Sequence, residues 1–160
     1  MDEFSELINA HDTFEANKAK AAQSAADKET AAVADRTLAF TAAVKQIAMP
    51  VFNAFVEQLK QTGRDAATFQ LSNDGYGRAY VQLRFNVDPN ARLNLNASED
   101  CAYGLTLMES GIVEFRSYYD QRPGKNGHST RPGGIDEITT ETIRDDLKAV
   151  LQLGLDSRKS

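Results

Sequence analysis

Between Asp2 and Gln61 the chain has no glycine and one proline, Pro50, and is dominated by alanine, glutamate, lysine and glutamine. Such a stretch strongly favours helix. More than a third of the chain is therefore helical before any sheet begins. From Ala66 onward the apolar residues alternate with polar ones, the period of half-buried strands. The chain accordingly reads as α+β: a long N-terminal helical arm, an antiparallel meander of about five strands, and a closing helix.

The arm is not uniform along its length. Phe4, Leu7, Ile8, His11 and Phe14 begin an apolar stripe, but from Ala16 to Ala34 the contact positions are mostly alanine. Alanine seams let helices approach closely while burying little area. Phe40, Val44, Ile47, Val51, Phe55 and Leu59 then recur every three or four residues, widened by Phe52 and Val56, as for a helix lying on a sheet. Residues 1–32 are thus expected to form an interaction or fold-back element, and residues 33–160 a single α+β domain. Pro50 lacks an N–H and disfavours helix at Met49, which predicts a kink or a restarted turn. Gly63 is the expected C-terminal stop.

In the sheet, Ala67, Phe69 and Leu71, then Ala79, Val81, Leu83, Phe85 and Val87, then Leu93, Leu95 and Ala97 are expected to face inward. Asn73-Asp74-Gly75 and Asp88-Pro89-Asn90 tolerate tight bends, so these strands pair antiparallel, with Val87 opposite Ala91. For the hairpin Cys101–Tyr119, a two-residue turn would set Leu107 against Glu114. A three-residue Glu109-Ser110-Gly111 turn instead pairs Leu107 with Val113, Leu105 with Phe115 and Cys101 with Tyr119, and gives Gly111 the left-handed position. Residues 120–134, with four glycines and two prolines, read as a long basic loop without an element. Ile143, Leu147, Val150 and Leu151 mark a last helix near 140–153. It is capped by Thr139 or Thr140 and carries Glu141, Asp145 and Asp146 toward its positive end. Both core helices are expected on one face of the sheet.

With 160 residues and 41% hydrophobic content, one core is all the chain can build. A net charge of −5 opposes nucleic-acid binding through the overall field. The single cysteine, Cys101, excludes an intramolecular disulfide framework. The acidic N-terminus is unlike a signal peptide, and no run approaches the roughly 18 apolar residues of a membrane span. These features point to a cytoplasmic protein with no membrane association.

Chemical motifs are few. His11 and His128 each lack a second metal ligand at helical or hairpin spacing, and Cys101 faces inward, where a thiol is a small hydrophobe. Gly124-Lys125-Asn126-Gly127-His128-Ser129 lacks the residue order of a phosphate loop, and Gly75-Tyr76-Gly77 lacks the third glycine of a dinucleotide fingerprint. The adjacent acids Glu99-Asp100, Asp136-Glu137 and Asp145-Asp146 fit solvated faces and caps. No catalytic set, cofactor or metal site follows.

What remains is surface. Tyr80, Gln82, Arg84 and Asn86 are expected opposite Arg92, Asn94 and Asn96 on the outer sheet face. Arg116 and Tyr118 join them, and Arg122, Lys125, His128 and Arg131 lie in the neighbouring loop. Arginine, tyrosine and amides are the makeup of recognition surfaces. The leading reading is a noncatalytic protein-interaction module, of adaptor, inhibitor or immunity type. Its partner is another protein or a second copy, with Phe4, Leu7 and Phe14 forming an oligomer seam. The alternative is a small-molecule-binding domain with a cavity between sheet and helices near Cys101, Tyr103 and Tyr119; a nucleic-acid-binding protein or an enzyme fits less well.

Overall fold

The structure, a computed structural model, describes residues 3–93 and 100–158. The chain divides into two units, Met1–Arg36 and Thr37–Ser160. Helix α1 runs Glu3–Ala43. Within the first unit its large apolar residues stay in solvent: Phe4 is 76% exposed, Leu7 69%, Ile8 60% and Phe14 63%. At 100° per residue these four fall within an arc of about 120°, one narrow stripe.

The second unit holds the core. A π-helical turn, Val44–Ala48, follows α1 and leads into α2, Met49–Gln61, with Pro50 in its first turn. Pro50 has no N–H to offer the carbonyl of Gln46, which is where the sequence predicts a restarted turn. Phe40, Val44, Ala48, Phe52 and Val56 are buried, a four-residue repeat. Each such step overshoots an α-helical turn by about 40°, and the wider π turn absorbs one residue and returns the stripe to the sheet. That is why Ile47, Val51 and Phe55, expected at the centre of the stripe, lie half-buried at its flank. At the far end Gly63, at φ 81°, donates to Lys60 O, and Arg64 donates to Leu59 O, a closed C-terminal cap.

Five strands follow as one antiparallel sheet in sequence order: β1 Ala66–Asn73, β2 Ala79–Phe85, β3 Cys101–Leu107, β4 Val113–Asp120 and β5 Gly127–Gly133. The β3–β4 register pairs Leu107 with Val113 and Leu105 with Phe115. Gly111 sits at φ 89°, so the three-residue turn is as expected. The last helix, α3, runs Thr140–Ser157, a turn longer than its apolar stripe implied, and Thr139 Oγ1 accepts from the N–H of Thr142 at 3.1 Å. Helix α2 packs on β1 and β2, and α3 on β3 and β4. Val81, Leu83, Phe85, Tyr103, Leu105, Val113 and Phe115 form the sheet's share of the core with Ile143, Leu147 and Val150 of α3.

Three expectations for the sheet are corrected. The Gly- and Pro-rich segment does form a strand, because β5 pairs with β4 from Gly133 opposite Val113 to His128 opposite Tyr118. Ladder bonds need only backbone groups, and an edge strand tolerates Pro132. Strand β2 pairs with β3, Phe85 opposite Cys101, and not with the chain after Asp88-Pro89-Asn90. That chain is held by the turn after α2 instead: Asn90 N donates to Gly63 O at 3.1 Å, Arg64 Nε to Val87 O at 2.9 Å, and Leu93 N to Asp65 Oδ2 at 2.9 Å. The expected strand positions Leu95 and Ala97 lie outside the described residues. Finally, Ala66 opposes Phe85 and Thr68 opposes Leu83, so Ala67 and Phe69 face outward. A bulge between Phe69 and Ser72 reverses the alternation and brings Leu71 back against the core.

By length and composition alone, one stretch within Glu3–Gln61, of mean hydropathy 1.3, could cross a bilayer. This qualifies the expectation that no run approaches membrane length. Core helices pass the same test, and Phe40, Val44, Phe52 and Val56 here are core residues.

Candidate functional site

Helices α2 and α3 pack on the face that carries Val81, Leu83, Tyr103, Leu105, Val113 and Phe115, and the residues between these form the outer face. On that face β3 presents Ala102, Gly104 and Thr106, all small. Ala102 is nonetheless only 2% exposed and Thr106 4%, because longer side chains on both neighbours stand over them. Tyr80 opposes Thr106, Gln82 opposes Gly104 and Arg84 opposes Ala102 on one side; Glu114, Arg116 and Tyr118 oppose the same three residues on the other. The result is a trough along β3, with its walls two strand spacings, roughly 10 Å, apart.

Within it lies a depression of about 130 Å³ over Gly104, lined by Tyr80, Gln82, Arg116 and Tyr118 and by Asp74. Gly104 is required there, since a Cβ would lie 2.8 Å from the carbonyl oxygen of Val81. The walls are braced. Arg116 is held by Glu114, Nε to Oε2 at 2.8 Å. The ring of Tyr118 stacks on His128 of β5 with centroids 6.5 Å apart. Asp74 accepts from the N–H groups of Tyr76 and Arg78 at 2.9 Å each, and the Arg78 bond is the main cause of its lowered pKa. Such a site offers phenol, amide and guanidinium groups for stacking and hydrogen bonding. Its lining has no histidine or cysteine to act as nucleophile or base, and among the described residues no group of three or more His, Cys, Asp or Glu could hold a metal ion.

The structure brings Tyr80, Arg84, Arg116 and Tyr118 together on this trough, and separates the other sequence-predicted residues from it. Arg131 opposes Phe115, on the helix side of the sheet. Its guanidinium lies over the Phe115 ring at 4.5 Å and bonds Asp146 Oδ1 at 2.8 Å. Arg122 clamps Asp120 with Nε at 2.8 Å and Nη2 at 2.7 Å and reaches Ser157 O at 3.2 Å, tying the β4–β5 connection to the end of α3. Lys125 is exposed in that connection, and Arg92 is exposed beyond Asn90. Asn94, like Asn96, lies outside the described residues. Phe4, Leu7 and Phe14 belong to the first unit.

Sequence reasoning missed Gly104 and its small neighbours. The signal was present: Cys101, Tyr103, Leu105 and Leu107 alternate with Ala102, Gly104 and Thr106, and every one of the seven is buried. It also missed the buried polar end of the sheet. There Asp120, 4% exposed, is drawn down to about pKa 2, mainly by its bonds from Arg122, with Arg158 Nη1 at 3.8 Å. Asp100, fully buried, faces the Asn86 amide at 3.4 Å.

The space near Tyr103 and Cys101, expected to be a cavity, is filled. Tyr103 packs edge-on against Phe52, with centroids 5.9 Å apart, and its hydroxyl donates to Asp146 Oδ2 at 2.5 Å. Burial first, then that bond, pushes the phenol's pKa up. Burial likewise raises the Cys101 thiol to about 12. A larger opening, about 470 Å³, lies instead between α2 and α3 on the side away from the sheet. Its floor is Ile47, Val51, Phe55, Leu147 and Leu151, and Arg144 and Lys148 stand beside it.

Comparison with family models, with known proteins and with solved structures finds no match to this chain.

Proposed function

We propose that the protein is a noncatalytic protein-interaction module, of adaptor, inhibitor or immunity type, which receives a segment of another protein in the trough on its open sheet face. The observation that carries this reading is the floor of Ala102, Gly104 and Thr106 between walls of Tyr80, Gln82 and Arg84 and of Glu114, Arg116 and Tyr118. A sheet face serving only solubility has no need for a strand of small residues at its centre. An accommodating groove does, and tyrosine and arginine are the side chains that give such grooves affinity. The test is quantitative capture from the native cell with wild-type, Arg84→Glu and Tyr118→Ala baits of equal stability. A partner retained by wild type and lost by both variants supports the reading; equal recovery of every captured protein by all three refutes it.

A second reading is favoured by the cleft between α2 and α3, whose volume falls within the range of small-molecule sites. Thermal shift of the wild type against apolar metabolites, with Ala54→Glu as the blocked control, separates the two.

A further inference from the structure

Each of the two units presents an exposed apolar surface of its own. One is the arm stripe, Phe4, Leu7, Ile8 and Phe14. The other is the cleft between α2 and α3, floored by half-buried and buried aliphatic and aromatic residues, with the exposed Ala54 in its lining. We propose that these surfaces are complementary and that the arm of one copy seats in the α2–α3 cleft of a second copy, forming a homodimer by arm exchange. This rests on the interaction-module reading and names the partner of its helical arm.

Shape and charge both support the match. Phe4, Leu7 and Ile8 stand at i, i+3 and i+4, the spacing at which an amphipathic helix anchors in a groove, and Phe14 extends the same stripe at i+10. The cleft lining carries two cations, Arg144 and Lys148, and no acid. Residues 1–29 carry seven acids against three bases. Glu3, Asp12 and Glu15 fall beside or within the arc of the apolar stripe at 100° per residue, where they would meet those cations. A second copy is a better occupant than the chain's own arm, because residues 14–46 contain no glycine or proline at which a helix could reverse. Folding back would break helix in alanine-rich sequence, where helix propensity is greatest. Exchange also makes each contact twice around a two-fold axis.

The test uses the full chain. Light scattering across a dilution series is expected to give twice the chain mass. Phe4→Ser/Leu7→Ser/Phe14→Ser should give the monomer mass, and Ala54→Glu should raise the dimer dissociation constant by about tenfold or more, as for loss of a central contact. Because Ala54 is exposed, that variant tests the cleft even if the arm variant fails to fold. Mixing Ile8→Cys chains with Ala54→Cys chains should yield an interchain disulfide under mild oxidation. One-chain mass at every concentration overturns the proposal. So does a dimer indifferent to Ala54→Glu whose Ile8→Cys chains cross-link to each other, which is arm-to-arm pairing. An intrachain disulfide in the Ile8→Cys/Ala54→Cys double variant at monomer mass overturns it in favour of the chain's own arm. Arg84→Glu and Tyr118→Ala leave the mass unchanged, so failure here is distinct from failure of the sheet-face reading.

Discussion

The bridge from Tyr103 through Asp146 to Arg131 fastens α3 to the centre and edge of the sheet at once, and it permits an ordered set of stabilities. Arg131→Ala removes a partner whose side chain is 48% exposed. An exposed ion pair of this kind contributes about 0–1 kcal/mol and a cation–π contact about 0.5–1 kcal/mol, so the loss is near 1 kcal/mol. Tyr103→Phe removes a buried bond to a carboxylate, which contributes about 1.5–3 kcal/mol net. The lower half applies, because Asp146 keeps Arg131 and some contact with solvent. Asp146→Ala removes both bonds and strands the hydroxyl of a fully buried tyrosine, an added cost of about 1–3 kcal/mol.

The expected order of destabilisation is therefore Arg131→Ala, then Tyr103→Phe, then Asp146→Ala, read as urea midpoints at constant m-value. In melting temperature each kcal/mol amounts to about 3–6 °C for a unit of this size. The sharpest arm of the experiment is the double variant. Tyr103→Phe placed on Asp146→Ala deletes the stranded hydroxyl, so it should be neutral or stabilising there although it is costly on wild type. A Tyr103→Phe midpoint equal to wild type would refute the reasoning, as would Asp146→Ala costing no more than Arg131→Ala.

Other consequences are open to measurement. Asp120 has its carboxyl held down to about pKa 2 by Arg122, below the ordinary aspartate value of 3.8, so its contribution is fully present above about pH 4 and disappears as pH falls through about 2; Asp120→Asn should lower stability at neutral pH and flatten the acid limb of an unfolding titration, and an unchanged limb would count against the clamp. Cys101, fully buried with a thiol raised to about 12, should resist a thiol-specific disulfide reagent at pH 8 until denaturant is added, whereas stoichiometric labelling of the native protein would contradict its placement. Gly154→Ala puts a Cβ 2.9 Å from Cys101 Sγ and 3.1 Å from Val87 Cγ1, and overpacking of this kind costs about 1–3 kcal/mol; pairing it with Cys101→Ala should recover much of the loss. Gly104→Ala meets the backbone of β2 and fills the trough floor, so a partner of the sheet face should bind it more weakly than it binds Thr106→Ser.

Much of this architecture is legible in the residues themselves. Sixty residues with one proline and no glycine have no competitive local alternative to helix, and Gly63 ends that helix through its own φ of 81°. Pro50 marks where the helical bonding changes, since it lacks the donor. The Glu109-Ser110-Gly111 turn follows from a register choice between pairing Leu107 with Val113 and pairing it with Glu114. All of these are decided by groups a few residues apart.

The remainder was settled by contacts the chain makes at a distance. Strand β5 has the composition of a loop and becomes a strand because β4 offers it a row of backbone donors and acceptors, which no side chain advertises. The chain after Val87 fits a hairpin in isolation, yet bonds from Arg64, Asp65 and Gly63 hold it elsewhere and leave β2 to pair with β3. The β1 bulge reverses which apolar residues face the core. The trough exists only once those pairings are made, because Gly104 becomes its floor through what β2 and β4 set on either side. Propensity and periodicity act over one or two turns of chain and so are written in sequence. Pairing and burial are shared between segments tens of residues apart, and the folded packing chooses among the partners that local rules allow.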